Sequence, residues 1–201
     1  MVDVGTVITS LVSSSRDGLP EPSVVALDRI GLGHCRRGAI VLPLPSSTPD
    51  DVTSRWRSLA LGLGRRPFFV DRPIALALGL GLSAESERAH LLIEVNPGFV
   101  EAGVVSRGVV ISEHLLPGEP ESWATLVDVV GSMLIEIDPD HELDIREEGL
   151  HLVARHPESE LLSRLLAESL GISVLVTDAK RDPVLLGAAQ IVQSISHIPG
   201  V

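Results

Sequence analysis

The chain has 201 residues, 44% of them hydrophobic, and 27 acidic residues outweigh 16 basic ones to give a formal net charge of −11. That length and apolar content suffice for one buried core or two small ones. The acidic excess argues against nucleic-acid binding, which needs basic side chains to displace counterions from a phosphate backbone.

No apolar run reaches the roughly 18 residues of a membrane span, and the first residues lack the basic-then-apolar layout of a signal peptide. The expected location is therefore the cytoplasm. The single cysteine, Cys35, cannot form an internal disulfide. Its neighbour His34 has no further Cys or His at ligand spacing, so the pair reads as ordinary loop residues and no metal is expected.

Residues 2–13, VDVGTVITSLVS, read as two strands joined by a tight turn at Gly5-Thr6, and 22–29 reads as a third. A short loop at 31–37 leads into a strand at 38–42. TPDDVTSRWRSLALGLG then carries helix-start chemistry: Thr48 can cap, Pro49 suits the first helical position, and Asp50 and Asp51 meet the positive end of the dipole. Val52, Trp56, Leu59 and Leu63 recur at helical spacing and predict one buried face, which Gly62 and Gly64 end.

A buried strand at 67–70 and an apolar helix at 72–82 follow. Three strands come next, at 90–95, 99–105 and 109–114, with turns at Asn96-Pro97-Gly98 and Ser106-Arg107-Gly108. Residues 119–137 predict one helix with Trp123, Val127, Val130, Leu134 and Ile137 on its apolar face. A strand at 149–154, a helix at 158–170 bearing Leu161, Leu162, Leu165 and Leu166, a strand at 172–177 and a helix at 183–194 capped by Asp182 complete the chain. The order of three strands, helix, strand, helix occurs twice, at 2–82 and 90–196. The pattern alone predicts an α/β protein with two similar halves, each a mixed sheet with packed helices.

Several stretches resemble the MreB/Mbl family of bacterial actins. VDVGTVITSLV and PEPSVVALD resemble that family's IDLGTANTLVY and NEPSVVAID, and PFFVDRPIALALGLGL resembles its helix with an acidic-Pro opening and a Gly-rich end. LLIEVNPGFVEAGVVSRGVVIS resembles its VDIGGGTTEVAVIS hairpin. GLHLVARHPESELLSRLLAESLGISV resembles GIVLTGGGALLRGLDELLAEETGIPV, and DPVLLGAAQIVQSI resembles the closing helix. The resemblance implies an actin-like duplicated ribonuclease-H-like fold, with a IA-like subdomain at 1–75 plus 183–201 and a IIA-like one at 76–182. The family's two inserted subdomains look absent. IB would follow the third strand, and IIB would separate two helices that GEPESWATLV and VDVVGSMLIEIDPDHEL resemble.

The family holds Mg-ATP between its halves on glycine-rich loops, because phosphate oxygens need backbone N–H donors at close range and side chains would block the approach. Carried over position by position, the first loop keeps Asp3, Gly5 and Thr6 but has Val7 and Ile8 where a small and an amide residue would stand. In the second loop Glu94 replaces the metal-organising Asp. Asn96 and Pro97 replace glycines beside Gly98, proline offers no N–H, and Phe99 and Val100 replace paired threonines. In the third, Ala154, Arg155 and His156 replace three glycines before Pro157.

The set reads as a vestigial nucleotide site, so no cofactor is expected, and ATP with Mg only if the site survives. Arg155 and His156 could instead grip a phosphate directly; filling an unused cleft is the favoured reading. Asp50 or Asp51 could be the family's carboxylate that orients the water attacking ATP; a helix-terminal acid is the favoured reading, and no catalytic residue is assigned. Ser46 and Ser47 lack the strand-to-helix elbow of a nucleophile.

What the resemblance implies is a non-hydrolysing scaffold or regulator of cell shape and cell-wall synthesis. Its expected partners are proteins, among them longer MreB-type filaments, which could bring it to the inner face of the membrane. The alternatives are a polymerising ATP-dependent switch and a small-molecule kinase of the same superfamily.

Overall fold

The structure is a computed structural model and describes residues 6–7, 39–62, 64–83, 85–96, 98–117, 122–154, 156–178 and 182–195. In chain order the first elements are β1 (Thr6–Val7), β2 (Ala39–Leu44), α1 (Asp50–Gly62), β3 (Arg66–Asp71) and α2 (Arg72–Gly79). Next come β4 (His90–Asn96), β5 (Phe99–Ser106), β6 (Val109–Pro117), α3 (Trp123–Glu136), α4 (Pro139–Glu148), β7 (Leu150–Ala154), α5 (Ser159–Leu170) and β8 (Val174–Asp178). The last is α6 (Pro183–Ile195).

Two compact units result, Met1–Gly81 with Asp182–Val201, and Leu82–Arg181. The first boundary thus falls after α2, not at residue 75 as the sequence suggested. The reason is that α2 is one unbroken helix packed along α6.

In the first unit the described strands are parallel, in the order β1-β2-β3. Strand β2 reads as a continuous apolar run because both its faces are covered. Ile40, Leu42 and Leu44 pack with Trp56 and Ala60 of α1, and Val41 packs with Ala188 and Val192 of α6. Helix α1 therefore uses the expected face, with Val52 and Leu59 partly buried beside Trp56 and with Ala60 added; Leu63 lies outside the described residues. Thr6 and Val7 form a strand in register with Ile40 and Val41, where a turn at Gly5-Thr6 was expected. The expected strand at 22–29 and the junction where IB would insert lie outside the described residues.

The second unit has a mixed sheet in the order β6-β5-β4-β7-β8. Strands β4, β5 and β6 are antiparallel neighbours, and β4, β7 and β8 run parallel. Alternate residues face one core: Leu91, Ile93 and Val95 of β4, Val100, Ala102 and Val104 of β5, and Leu150 and Leu152 of β7. Leu126, Val130 and Met133 of α3, Ile145 of α4, and Leu162 and Leu166 of α5 cover that face. Each such side chain contributes about 1.5–3 kcal/mol by leaving water.

One helix was expected over 119–137, and α3 fills it from Trp123 to Glu136; a further helix, α4, follows at Pro139–Glu148, where none was expected. Helix α3 starts at Ser122, whose side chain accepts from the Ala124 N–H, and ends at Glu136. Asp138 then caps α4, its Oδ1 accepting from the Asp140 N–H at 2.9 Å, with Pro139 in the first turn. The two stretches compared with the helices that flank IIB meet at Val127, inside the unbroken α3, and only Ile137 and Asp138 separate α3 from α4, so no subdomain is inserted at either place. Helix α2 also stops earlier than residue 82, as the Leu80 N–H closes onto Leu76 and Ala77 carbonyls.

Candidate functional site

Strands β2 and β3 end side by side, with Leu44 opposite Asp71. From Leu44 the chain turns into α1, and the Thr48 N–H and Oγ1 both donate to the Pro45 carbonyl, at 2.9 and 2.6 Å. From Asp71 it enters α2 directly, with a proline in the first turn. A cavity of about 470 Å³ opens beyond these strand ends, the place where parallel sheets form ligand crevices. Ser46, Thr48, Asp50, Thr53 and Asp71 line it with Leu44, Phe69, Val70 and Ile74.

The two acids singled out from sequence separate here. Asp50 lines the cavity, whereas Asp51 pairs with Arg55 one turn on, at 3.4 Å. That exposed pair is worth about 0.3–0.5 kcal/mol. Asp71 was not foreseen as a site residue. It holds the N-cap position of α2 but makes no capping hydrogen bond with its side chain. The signal that could have found it is an acid between the end of a strand and a helix opened by proline.

In the second unit, Asn96 pairs with Phe99, so β4 and β5 are joined through Pro97 and Gly98 alone. Gly98 has φ 99°, open to glycine at little cost; Pro97 lies outside the described residues. Phe99 is 5% exposed and Val100 1%, the latter inside the core. Glu94 and Glu101 face each other across the strand pair, and each is only 3% exposed. The Asn96 Nδ2 is buried without a hydrogen-bond partner.

Where the third loop was expected, β7 ends at Ala154 and Arg155 lies outside the described residues. His156 is held on two sides. Its Nδ1 accepts from the Glu158 N–H at 3.2 Å, and its ring meets Trp123 edge-on with centroids 5.3 Å apart. Trp123 Nε1 in turn donates to Glu158 Oε2 at 2.8 Å. Pro157 is exposed in the turn before α5. Of the first-loop set, Thr6 and Val7 are in β1, and Asp3, Gly5 and Ile8 lie outside the described residues.

A further polar cluster joins β4, α4 and β7. His90 Nδ1 stands 3.1 Å from Glu148 Oε2, off hydrogen-bond geometry, and Arg88 donates to Glu148 Oε1 at 2.9 Å. His151 lies with its ring centroid 6.2 Å from that of His90. Burial, and then the neighbouring His90, lower the His151 pKa below its usual 6.5, while Glu148 acts to raise it. Among the described residues no group of His, Cys, Asp and Glu is arranged to hold a metal ion.

No protein-family model matches the chain, and no curated protein matches it by sequence. Solved structures do match. MreB5 of Spiroplasma citri bound to AMPPNP superposes with a TM-score of 0.76 at 12% identity, over 90% of this chain and 78% of that one. The MamK double helical filament gives 0.60 at 9% identity, over 93% and 78%. The ethanolamine utilization protein EutJ from Carboxydothermus hydrogenoformans gives 0.58 at 14%, over 89% and 78%. At such identities the likeness establishes architecture: the chain has an actin-like fold, two α/β units of which the second is built on a mixed sheet.

Proposed function

We propose that this chain is a bacterial actin-like protein that acts through protein partners without turning over ATP, as a scaffold or regulator in cell-shape determination and cell-wall synthesis. The observation that carries this reading is the β4–β5 hairpin. A loop that wraps phosphates needs several free N–H groups, and here two residues join the strands, one of them a proline. Phe99 and Val100 are both buried and carry no hydroxyl to offer a ligand. His156 is committed to Glu158 and Trp123. These features of the described residues speak against a triphosphate with its metal.

The unbroken run of α3 through Val127, where the IIB insertion was expected, supports the assembly side of the proposal. A specific interface buries on the order of 1,200–2,000 Å², and a chain without a subdomain at this junction has less surface for a head-to-tail contact. A net charge of −11 adds repulsion between copies at low salt. The protein then works as a monomer or small oligomer, or caps and joins longer MreB-type filaments in the cytoplasm or at the inner membrane face.

The fold likeness to MreB5 bound to AMPPNP favours the second reading, an ATP-dependent polymerising switch. Calorimetric titration with Mg-ATP, paired with electron microscopy of the same samples, separates the two. No saturable heat and no regular protofilaments are expected. Micromolar Mg-ATP affinity, or double protofilaments formed by this chain alone, would decide for the switch.

A further inference from the structure

We propose that His90 and Glu148 form a proton-operated latch: when the His90 ring takes up a proton, its Nδ1–H bonds to the Glu148 carboxylate and fixes the end of α4 on β4. His90 is the first residue of β4 and Glu148 the last of α4. His90 is 7% exposed, and among the described residues neither of its buried ring nitrogens makes a hydrogen bond. The neutral ring carries one N–H. A buried donor without an acceptor costs free energy, and native structures keep few of them.

An acceptor is within reach. Glu148 Oε2 stands 3.1 Å from Nδ1, a hydrogen-bond distance at an unsuitable angle, so a turn of the ring closes the bond without moving the backbone. With the ring neutral, the carboxylate is held through Oε1 by Arg88, whose exposed side chain also lies 3.6 Å from Glu147. An exposed pair of that kind holds weakly. A proton on the buried ring makes the contact with Oε2 one between opposite charges, about twice as strong as a neutral hydrogen bond. The hold matters because α4 buries Ile145 alone, and the rest of its grip on the sheet is polar.

The surrounding charges favour the proton. From α4 come Asp144, which accepts the Ala89 N–H, and Glu147 and Glu148; against these three carboxylates stands the guanidinium of Arg88. Arg146 is turned to Glu142 and to the Leu170 carbonyl, and His141 lies two turns up the helix, about 10 Å along its axis from Glu148. Strand β5 sets the uncharged Val105 opposite His90, and Glu87, whose carbonyl accepts from Ser106 Oγ, has its carboxylate 3.5 Å from Arg107. From β7 comes His151, its ring centroid 6.2 Å from that of His90. Two imidazolium rings so close repel, so the cluster takes one proton at a time, and the contact with Glu148 places it on His90. Burial and then His90 hold the His151 pKa below its usual value, which fits that order.

The test is amide hydrogen exchange of the whole chain by NMR, from about pH 8 to about pH 5.5, where histidine titrates while most carboxylates stay charged. The readouts are Gly149, whose N–H donates to the Ile145 carbonyl at the end of α4, and Ala89, with Leu152 of the core as the reference for opening of the whole chain. Relative to Leu152, protection of both amides should rise about tenfold on acidification, the effect of one charge-assisted bond. His90→Asn should abolish the rise and Glu148→Gln should remove most of it. Arg88→Ala, which frees only the other carboxylate oxygen, and His151→Asn should keep it. The imidazole nitrogen spectrum of the parent chain needs no variant: His90 should take the first proton, with its Nδ1–H in a hydrogen bond. Protection that does not change with pH, a rise of full size in Glu148→Gln, or a first proton on His151 would each overturn the proposal.

Discussion

Gly187 of α6 lies directly on the backbone of Ala75 in α2: a methyl group placed on Gly187 would overlap the Ala75 carbonyl oxygen. Gly79 stands in the same relation to the Pro183 carbonyl. The two helices thus cross at backbone contact, and Gln190 Nε2 adds a 3.3 Å bond to the Leu78 carbonyl. The obstructing atoms are main chain and cannot rotate aside. Gly187→Ala should therefore destabilise the chain by about 1–3 kcal/mol despite alanine's better helix propensity. In urea unfolding, Gly79→Ala is expected to behave alike. Gly62, at the end of α1, has no atom within 4 Å of an added methyl. Gly62→Ala should be neutral or stabilising by up to about 1 kcal/mol, and equal midpoints for the Gly187 and Gly62 variants would contradict the close crossing.

That crossing explains where sequence reading succeeds and where it stops. The strands β4 to β6 were legible because short apolar runs bounded by the turns at Gly98 and Gly108 are local signals. Helix α6 was legible from Asp182-Pro183; the Asp182 Oδ1 accepts from the Leu185 N–H at 3.2 Å. Helix α4 was missed because PDHELDIREE buries Ile145 alone and so carries no apolar stripe. The boundary at Gly81 was missed because the packing of α2 on α6 joins residues about a hundred positions apart. At the cavity, Asp50 and Asp51 are identical in type, and a rotation of roughly 100° about the helix axis decides which one lines it.

The contact of Trp123 with Glu158 yields a prediction of its own. Trp123→Phe keeps an aromatic edge for His156 but deletes the Nε1 donor, and should cost about 0.5–1.5 kcal/mol. His156→Ala frees the Glu158 N–H at a similar cost. Because both bonds end on Glu158, the double variant should lose less than the sum of the two, as residues in one network do. Strict additivity in a double-mutant cycle would show that the two bonds are independent.

Lowering the salt-bridge content of α1 should do little. Arg55 and Asp51 have side chains 60% and 66% exposed, so Arg55→Ala should shift stability by no more than about 0.5 kcal/mol. A larger loss in thermal unfolding would mean that Arg55 serves a second contact.

The acid side of the stability profile is set in part by His151. Its folded-state pKa lies below 6.5, first through burial and then through His90, against the opposing pull of Glu148. In the unfolded chain the ring regains its ordinary value. Between the two values the unfolded state holds the extra proton, so stability rises with pH in that window. His151 therefore adds stability that is fully present above pH 6.5 and is lost as pH falls toward the folded value. The slope from this group cannot exceed one proton, about 1.4 kcal/mol per pH unit. His151→Asn should flatten the profile below pH 6.5. Glu148→Gln removes the group that raises the pKa and should steepen it. The same variant also loses the 2.9 Å bond from Arg88, so it should be less stable at neutral pH as well. The slope, read from urea unfolding at several pH values above about 5, where most carboxylates are still charged, is the readout that isolates the histidine. Identical slopes in the parent and His151→Asn would show that His151 titrates alike in the folded and unfolded chain.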